Sequence, residues 1–482
     1  MVSRDAQRSA VSRTRTRCAS RLTGGGQPMF RRAFIASWFV LAISASSMFA
    51  QAPKPWHAGV AKSVITPREY MWMSGYASRS KPAEGKVHDL WAKALVLEDA
   101  QGKRCVLVTM DLIGIDRALA EEICANLKKS YGLNRDQIML STSHTHCGPV
   151  VGRNLLTMYN FSEVEHKKVI AYADDLHVKI VDLVGAAVKS LKPAQVTWNN
   201  GHTTFATNRR TNKEAEVPKM RDLGKLKGPV DHEVPVLCVR DSAGKVQAIA
   251  FGYACHATVM DFYQWSGDYP GFAQLELEKL YPDAAALFHA GCGGDQNPLP
   301  RRKNELAAAY GKQLADAVDQ VVKAPMTTVV PIVRTSYTRI DLPFGVLPTR
   351  EKLVQDTMNK NTYIVARAKA LLNDIEKTGS LKQIYPYPIQ TWRLGNDLTW
   401  VALGGEVVVD YSVRLKKELG KVWVTGYAND VMAYIPSLRV LKEGGYEGES
   451  SMIYYGHPSA WGPRVEELIV GEAHAEVAKV RK

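Results

Sequence analysis

Apolar runs typical of buried strands alternate with helical patterns along most of this 482-residue chain. Arg104–Met110 and Ile138–Ser141 have the length and composition of strands. Arg117–Lys129 and Asp174–Lys192 carry apolar residues at helical spacing. Such alternation is typical of α/β proteins. The sequence therefore predicts an α/β fold with mixed sheets, flanking helices and an active site in the loops at the strand ends.

The same patterns predict most of the remaining elements. Further strands are predicted at Gln195–Trp198, Val234–Val239, Gln247–Cys255, Leu398–Leu403 and Trp423–Tyr427. Further helices are predicted at Ala273–Leu280, Glu305–Val322, Thr349–Thr378, Val408–Leu419 and Arg464–Val480.

Potential metal ligands follow several of these strands. His144 and His146 come after the run at Ile138, His256 follows the strand that ends at Cys255, and Glu406 follows Leu398–Leu403. Loops at the carboxyl ends of strands converge in α/β folds, so these side chains are expected to meet. The alternative for each loop taken alone is a solvent-exposed polar turn. Several such loops together favour a shared site.

Two imidazoles and a carboxylate suit a zinc ion that keeps a position open for water. His144, His256 and Glu406 would supply the nitrogen, nitrogen and oxygen ligands from three distant loops. Zinc lowers the pKa of bound water enough to make it a nucleophile near neutral pH. The pattern therefore predicts a zinc-dependent hydrolase, although no His-Glu-x-x-His helix is present.

Half of the net charge of +14 lies near the amino terminus, where residues 1–32 contain eight arginines and one aspartate. The remaining chain shows no concentrated basic stripe, which argues against nucleic-acid binding. From Met29, two arginines precede an apolar run and a small-residue segment, the order found in secretory signals. We expect a leader at residues 1–50, with 1–28 a mis-called start and 29–50 a signal peptide. Export to the periplasm or the extracellular space follows; the alternative is an uncleaved amino-terminal anchor.

Short motifs are spread over residues 51–482. In chain order they are Met73–Tyr76, His144–Pro149, Asn208-Arg209, His256–Thr258, Ser266–Gly271, Gly294–Pro298, Gly405-Glu406, Tyr434 and Tyr446–Gly448. Together they resemble the catalytic domain of the neutral, non-lysosomal ceramidases. The resemblance implies a zinc amidase that cleaves the N-acyl bond of ceramide. It further implies a lipid or acylated small-molecule substrate and peripheral contact with membranes.

Carried over position by position, the resemblance assigns four zinc ligands and a set of substrate-facing residues. The ligands it implies are His144, His256, Glu406 and Tyr434; the spacing alone does not indicate the tyrosine. The residues it places at the scissile carbonyl are His146, Arg209 and Tyr446. Arg209 and Tyr446 can donate hydrogen bonds to an oxyanion, and His146 can transfer a proton to the leaving amine.

Two features depart from the family pattern. Asn297 occupies the position of a serine proposed to take part in catalysis, and an amide can donate a hydrogen bond but cannot accept an acyl group. A mechanism based on zinc-activated water is therefore favoured over a serine-dependent one. Because the sequence ends at Lys482, we also expect it to lack the carboxy-terminal immunoglobulin-like domain of the longer family members.

Three functions are consistent with the sequence. The first is a secreted zinc amidohydrolase of ceramidase type. The second is a metal-dependent hydrolase of the same fold that acts on a carbohydrate or an acylated glycan. The third is a non-catalytic binding protein in which the metal is structural and its coordination shell closed.

Overall fold

A nine-stranded mixed sheet is the largest element of the structure, a computed structural model that describes residues 55–482. The strands are β1 Trp56–Val64, β2 Gly85–Lys86, β3 Trp91–Glu98, β4 Arg104–Met110, β5 Ile138–Thr142, β6 Lys192–His202, β7 Ala206–Asn208, β8 Glu233–Asp241, β9 Val246–Tyr253, β10 Gln264–Trp265, β11 Ala285–Ala290, β12 Gln296–Pro298, β13 Thr327–Thr328, β14 Val333–Pro343, β15 Ile384–Leu394, β16 Leu398–Leu403, β17 Glu406–Val407, β18 Val422–Thr425 and β19 Tyr434–Ile435. The large sheet has the order β11-β9-β8-β6-β1-β3-β4-β5, with β13 paired to β6. The predicted leader, residues 1–50, lies outside the described residues.

A second sheet of four strands, in the order β14-β15-β16-β18, packs against the first. The helices are α1 Arg117–Tyr131, α2 Glu163–Lys189, α3 Val217–Asp222, α4 Asp268–Leu280, α5 Asn304–Lys323, α6 Arg350–Asp356, α7 Thr362–Thr378, α8 Val409–Leu419, α9 Leu438–Glu443, α10 Met452–Tyr455 and α11 Val465–Arg481. The predicted α/β class with mixed sheets and flanking helices is confirmed. Among residues 55–482, none of the helices has both the length and the hydropathy needed to cross a bilayer.

The layers follow from the side-chain alternation along the strands. In β3, Ala94 and Val96 join a core shared with α1, α2, α4 and α5, whereas Leu95 and Leu97 face the second sheet. Three buried tryptophans of the second sheet, Trp392, Trp400 and Trp423, fill the space between the two sheets. The outer face of the second sheet is covered by α8 and α11. The molecule is therefore built as helices, sheet, sheet, helices.

The structure has two helices, α6 and α7, where one continuous helix is predicted at Thr349–Thr378, so that prediction is wrong on this point. The chain leaves the helical path after α6 and starts again at α7, where the Asn361 side chain accepts a hydrogen bond from the Tyr363 amide. Asparagine competes for backbone groups in this way and favours helix starts over helix interiors. The predicted helix at Asp174–Lys192 also differs from the structure, because α2 begins earlier, after the Ser162 cap, and ends at Lys189.

The large sheet is curled, and a buried lysine connects distant strands of it. Lys93 on β3 donates to the Ala286 carbonyl on β11 and to Glu278 on α4, over 2.8 and 2.7 Å. β11 is the first strand in the sheet order and β3 lies near the other end. The Lys93 side chain is almost fully buried, and burial lowers its pKa. The ion pair with Glu278 offsets this loss of hydration.

The carboxyl ends of three parallel strand pairs bring the ligand-bearing loops together. β4 runs parallel to β5, β9 to β11, and β16 to β18. Isolated bridges join the sheets at this edge, from Ser141 to Ala428 and from Gly291 to Thr425. The strand-end loops of both sheets therefore meet in one place.

We predict that Lys93→Met lowers the free energy of unfolding by about 3 kcal/mol, because it removes one partner of a buried ion pair. Lys62→Met is the matched control. Lys62 contacts the other oxygen of the same Glu278 at 3.1 Å, but its side chain is 44% exposed. We expect it to cost less than about 1 kcal/mol. Urea denaturation of the two variants measures the difference, and equal losses would contradict this account of the buried pair.

Candidate metal centre and active site

His144 lies just beyond β5, where the backbone turns sharply. Its φ of 58° places it in the left-handed region, which redirects the chain after the strand. Its Nδ1 lies 2.6 Å from the Ile113 carbonyl oxygen. A carbonyl oxygen only accepts hydrogen bonds, so Nδ1 carries the proton. In the neutral ring, Nε2 then presents a free lone pair to the site.

His256 is held in the same manner from the other side. It follows β9, and its Nδ1 lies 2.7 Å from the carbonyl oxygen of Gly293, in the loop after β11. Its Nε2 therefore also presents a lone pair. Burial, reinforced by Arg209, lowers the pKa of His256 to about 4 and keeps the imidazole neutral at physiological pH.

Glu406 opens β17 and brings a carboxylate between the two imidazoles. Its Oε2 lies 3.0 Å from Nε2 of His144 and 3.0 Å from Nε2 of His256. Its other oxygen, Oε1, accepts a hydrogen bond from the Tyr455 hydroxyl. The side chain is buried.

This donor set fits a metal cation. In the tautomers that the carbonyls of Ile113 and Gly293 select, Nε2 of His144 and of His256 carries no proton. No hydrogen bond then joins either ring to Oε2 of Glu406, which is buried without a hydrogen-bond donor. The two distances from Glu406 Oε2 to the imidazole nitrogens, 3.0 Å each, are close to the spacing between two ligands of one tetrahedral zinc ion, roughly 3.3 Å for bonds near 2.0 Å. The predicted ligands His144, His256 and Glu406 are thus brought together around one point.

His146, predicted to transfer protons, lies beside the three ligands. Its Nε2 is 3.2 Å from Nε2 of His144. With His144 and His256 it forms a buried triad in which one ring nitrogen from each residue lies within 4.8 Å of the other two, a group able to hold a metal. Its Nδ1 is buried without a hydrogen-bond partner among the described residues. Burial lowers the pKa of His146 well below its usual value.

Tyr434 reaches the site through strand pairing. It lies opposite Glu406 in the parallel β17–β19 pair. Its hydroxyl is 3.1 Å from His256 Nε2 and accepts a hydrogen bond from Arg209 Nη2 over 3.1 Å. Burial raises the pKa of Tyr434 well above its usual value, so the phenol is neutral when no cation binds it. A bound cation acts in the opposite direction and favours the phenolate.

Arg209 and Tyr446 lie on the open side of the centre. The guanidinium donates to Glu447 Oε1 over 2.7 Å and to Asn297 Oδ1 over 3.1 Å, besides its bond to Tyr434. Tyr446 begins a short π-helical turn and is 40% exposed. Its ring centroid lies 5.2 Å from that of Tyr434. Both predicted oxyanion donors therefore lie next to the candidate ligands.

Asn297 lies on β12, which pairs with β7 immediately before Arg209. Its side-chain oxygen accepts from Arg209 and, over 3.5 Å, from Thr258. Its role here is to orient the guanidinium. Cys292, the nearest thiol to this loop in sequence, is fully buried, and burial raises its pKa, which is the opposite of what a nucleophile needs.

Two side chains of the site were not predicted from the sequence. Glu447 forms ion pairs with both Arg209 and Arg210. Its position within the Tyr446–Gly448 motif is the one sequence feature that could have indicated its role. Tyr455 donates to Glu406, and nothing in the sequence distinguishes it from the adjacent Tyr454. Both contacts depend on loop geometry that local patterns do not encode.

The chain is similar to proteins of one family. A family model described as neutral/alkaline non-lysosomal ceramidase, N-terminal, matches residues 56–317, more than half of the chain. Neutral ceramidase of Pseudomonas aeruginosa is 30% identical over 267 residues, which are 52% of this chain and 38% of that protein. Neutral ceramidase A of Dictyostelium discoideum is 27% identical over 43% of this chain and 29% of its own length. The match thus spans less than half the length of these relatives.

The fold is also found in solved structures. The crystal structure of neutral ceramidase from Pseudomonas aeruginosa has a TM-score of 0.69 at 20% identity, covering 89% of this chain and 75% of that one. A ceramidase complexed with C2 has a TM-score of 0.68 with the same coverage. The family match ends at residue 317, so the convergence of Glu406 and Tyr434 with the histidines is an observation of this structure. The chain belongs to the neutral/alkaline non-lysosomal ceramidase family.

Proposed function

We propose that this chain is a zinc-dependent amidohydrolase that cleaves the N-acyl amide of ceramide or a related acylated lipid. The observation that carries the proposal is the convergence of two imidazole lone pairs and one carboxylate oxygen on a single point. His144, His256 and Glu406 would hold the ion, with Tyr434 as a fourth ligand. A bound zinc ion supplies Lewis acidity, which makes water a nucleophile near neutral pH and polarises a carbonyl.

The surrounding side chains fit amide hydrolysis. Arg209 and Tyr446 can donate hydrogen bonds to the oxyanion that forms when water adds to the acyl carbon. His146, kept neutral by burial, can accept a proton from the attacking water and deliver it to the leaving amine. The products are a carboxylic acid and a free amine. Glu447 orients Arg209 through a 2.7 Å ion pair and so fixes the direction of its donors.

The proposal includes export. The order of basic, apolar and small residues at 29–50 is that of a secretory signal. An exported enzyme of this kind would meet acylated lipids at a membrane surface. The second candidate function, hydrolysis of an acylated glycan by the same machinery, is favoured by the polar side chains that line the cleft beside Arg209 and Tyr446.

We expect purified protein to release free amine from a panel of short- and long-chain ceramides, and to contain about one zinc ion per chain. Amine release is measured by mass spectrometry, and zinc by elemental analysis. A protein that contains zinc but hydrolyses neither ceramides nor glycosidic or acetylated substrates would favour the binding-protein alternative. Full activity after complete removal of metal would exclude the metal mechanism.

We predict that His144→Ala loses both the metal and the activity. His146→Ala, two residues away, should keep the metal and lose about 100- to 10,000-fold in kcat, because it removes proton transfer alone. Elemental analysis and kinetics of the pair separate a ligand from a proton carrier. Loss of the metal from both variants would instead identify His146 as a third nitrogen ligand, as the spacing of the triad permits.

Asn297→Ser and Asn297→Ala should have similar activities, both within about 100-fold of the wild type. Each loses the Oδ1 contact to the charged Arg209, worth about 1.5 to 3 kcal/mol, and neither affects the donors that converge on Glu406. The comparison of kcat between the two variants is the measurement. A serine variant that is much faster than the alanine variant would show that the hydroxyl acts in catalysis, and would contradict the water mechanism.

A further inference from the structure

A cleft of about 530 Å³ opens next to the candidate metal centre. It is continuous with the centre through Arg209 and Tyr446, which line it and also contact Tyr434. Seven of its nine lining residues are arginine, glutamate or asparagine, and Leu299 is the single aliphatic one among them. The wall nearest the reacting groups is therefore polar.

The charges of this wall are already balanced within the protein. Arg301 forms a two-pronged pair with Glu214, at 3.1 to 3.2 Å. Arg210 contacts Glu447 over 2.5 Å and Glu443 over 3.0 Å, and Arg209 contacts Glu447 as well. The arginine side chains lining the cleft are only 11–19% exposed. Because each cation has a carboxylate partner, the cleft offers no excess positive charge for an anion.

Both donors and acceptors nevertheless face the cleft. The arginines and asparagines offer N–H groups, and Glu214 and Glu447 offer carboxylate oxygens. A hydrocarbon chain laid against them would displace water without replacing its hydrogen bonds, which is costly for charged groups. Hydroxyl groups donate and accept at once, so a polyhydroxylated group can replace that water.

We propose that this cleft is a subsite for an uncharged, hydroxyl-rich group attached to the scissile amide, such as an amino sugar or another polyol. This inference rests on the proposed amidohydrolase function and narrows its substrate class. The preferred substrate is an N-acylated, polyhydroxylated compound, and one side of the amide carries no long hydrocarbon chain.

Matched substrates test the proposal. N-hexanoylglucosamine, N-hexanoylcyclohexylamine and N-hexanoylsphingosine share one acyl group and differ in the amine. N-gluconoylhexylamine places the hydroxyls on the acyl side. We expect kcat/KM for one of the two hydroxyl-rich amides, N-hexanoylglucosamine or N-gluconoylhexylamine, to exceed that of both N-hexanoylcyclohexylamine and N-hexanoylsphingosine by at least about tenfold. Which of the two is preferred shows the side of the amide that the cleft receives. A preference for N-hexanoylsphingosine or N-hexanoylcyclohexylamine overturns the proposal.

A double variant connects the preference to the cleft. Glu214→Leu with Arg301→Met replaces a whole ion pair by apolar side chains, so neither charge is left unpaired. We expect the ratio of kcat/KM for the hydroxyl-rich amide to that for N-hexanoylsphingosine to fall at least about tenfold, with unchanged zinc content. Arg302→Met is the control, since the Arg302 side chain is 59% exposed and lies near Asp261 at 3.7 Å. An unchanged ratio in the double variant overturns the proposal.

A binding measurement separates this proposal from the amidase function. If the zinc-loaded wild type hydrolyses none of the four amides, the proposed amidase activity fails. Titration calorimetry with N-acetylglucosamine then tests the subsite directly. Binding to the wild type that is lost in the double variant and kept in Arg302→Met supports the subsite, and absence of binding to the wild type overturns it.

Discussion

Two hydrogen bonds from imidazoles to main-chain carbonyls set the chemistry of the centre. The carbonyl oxygens of Ile113 and Gly293 accept hydrogen bonds from Nδ1–H of His144 and His256. The Nε2 lone pairs of both rings are therefore fixed toward Glu406. The tautomers are thus determined by backbone positions, and these are determined by the sheets. A loop shift that moved either carbonyl would release a ring and leave the Glu406 carboxylate buried without its neighbours.

The centre depends on both sheets. The large sheet supplies the two histidines, whereas Glu406 and Tyr434 come from the short β17–β19 pair, which follows strands of the second sheet. Tryptophans packed between the sheets hold them together. Trp400 donates a 2.7 Å hydrogen bond to Thr425 in the same sheet, and the Thr425 hydroxyl lies 3.0 Å from Nδ1 of His289 on β11 of the large sheet. Inter-sheet packing therefore acts on the reaction geometry as well as on stability, because neither sheet alone contains the full set of ligands.

The sequence predicted what depends on local pattern. His144, His256 and Glu406 each follow an apolar strand, and parallel strands bring their carboxyl ends to one edge. Tyr434 was reached only through resemblance, since its place opposite Glu406 is set by pairing between segments that local spacing does not connect. Tyr455 was missed for a similar reason, because its contact with Glu406 depends on how α10 docks.

Different kinds of interaction hold the two sides of the site in place. The residues that determine the reaction type can therefore stay unchanged while those that determine the substrate vary. The candidate metal ligands are held by main-chain carbonyls and by strand register. The cleft beside them is held by ion pairs between loop side chains such as Arg301 and Glu214. Asn297 lies at the border. Its strand is tied to the histidine loop through the 3.0 Å bond from the His256 amide to the Gln296 carbonyl, while its side chain lines the cleft. A replacement at this position therefore changes the side chains that line the cleft while the bonds that fix the imidazoles stay in place, so the candidate ligand set can be kept when the polarity of the cleft changes.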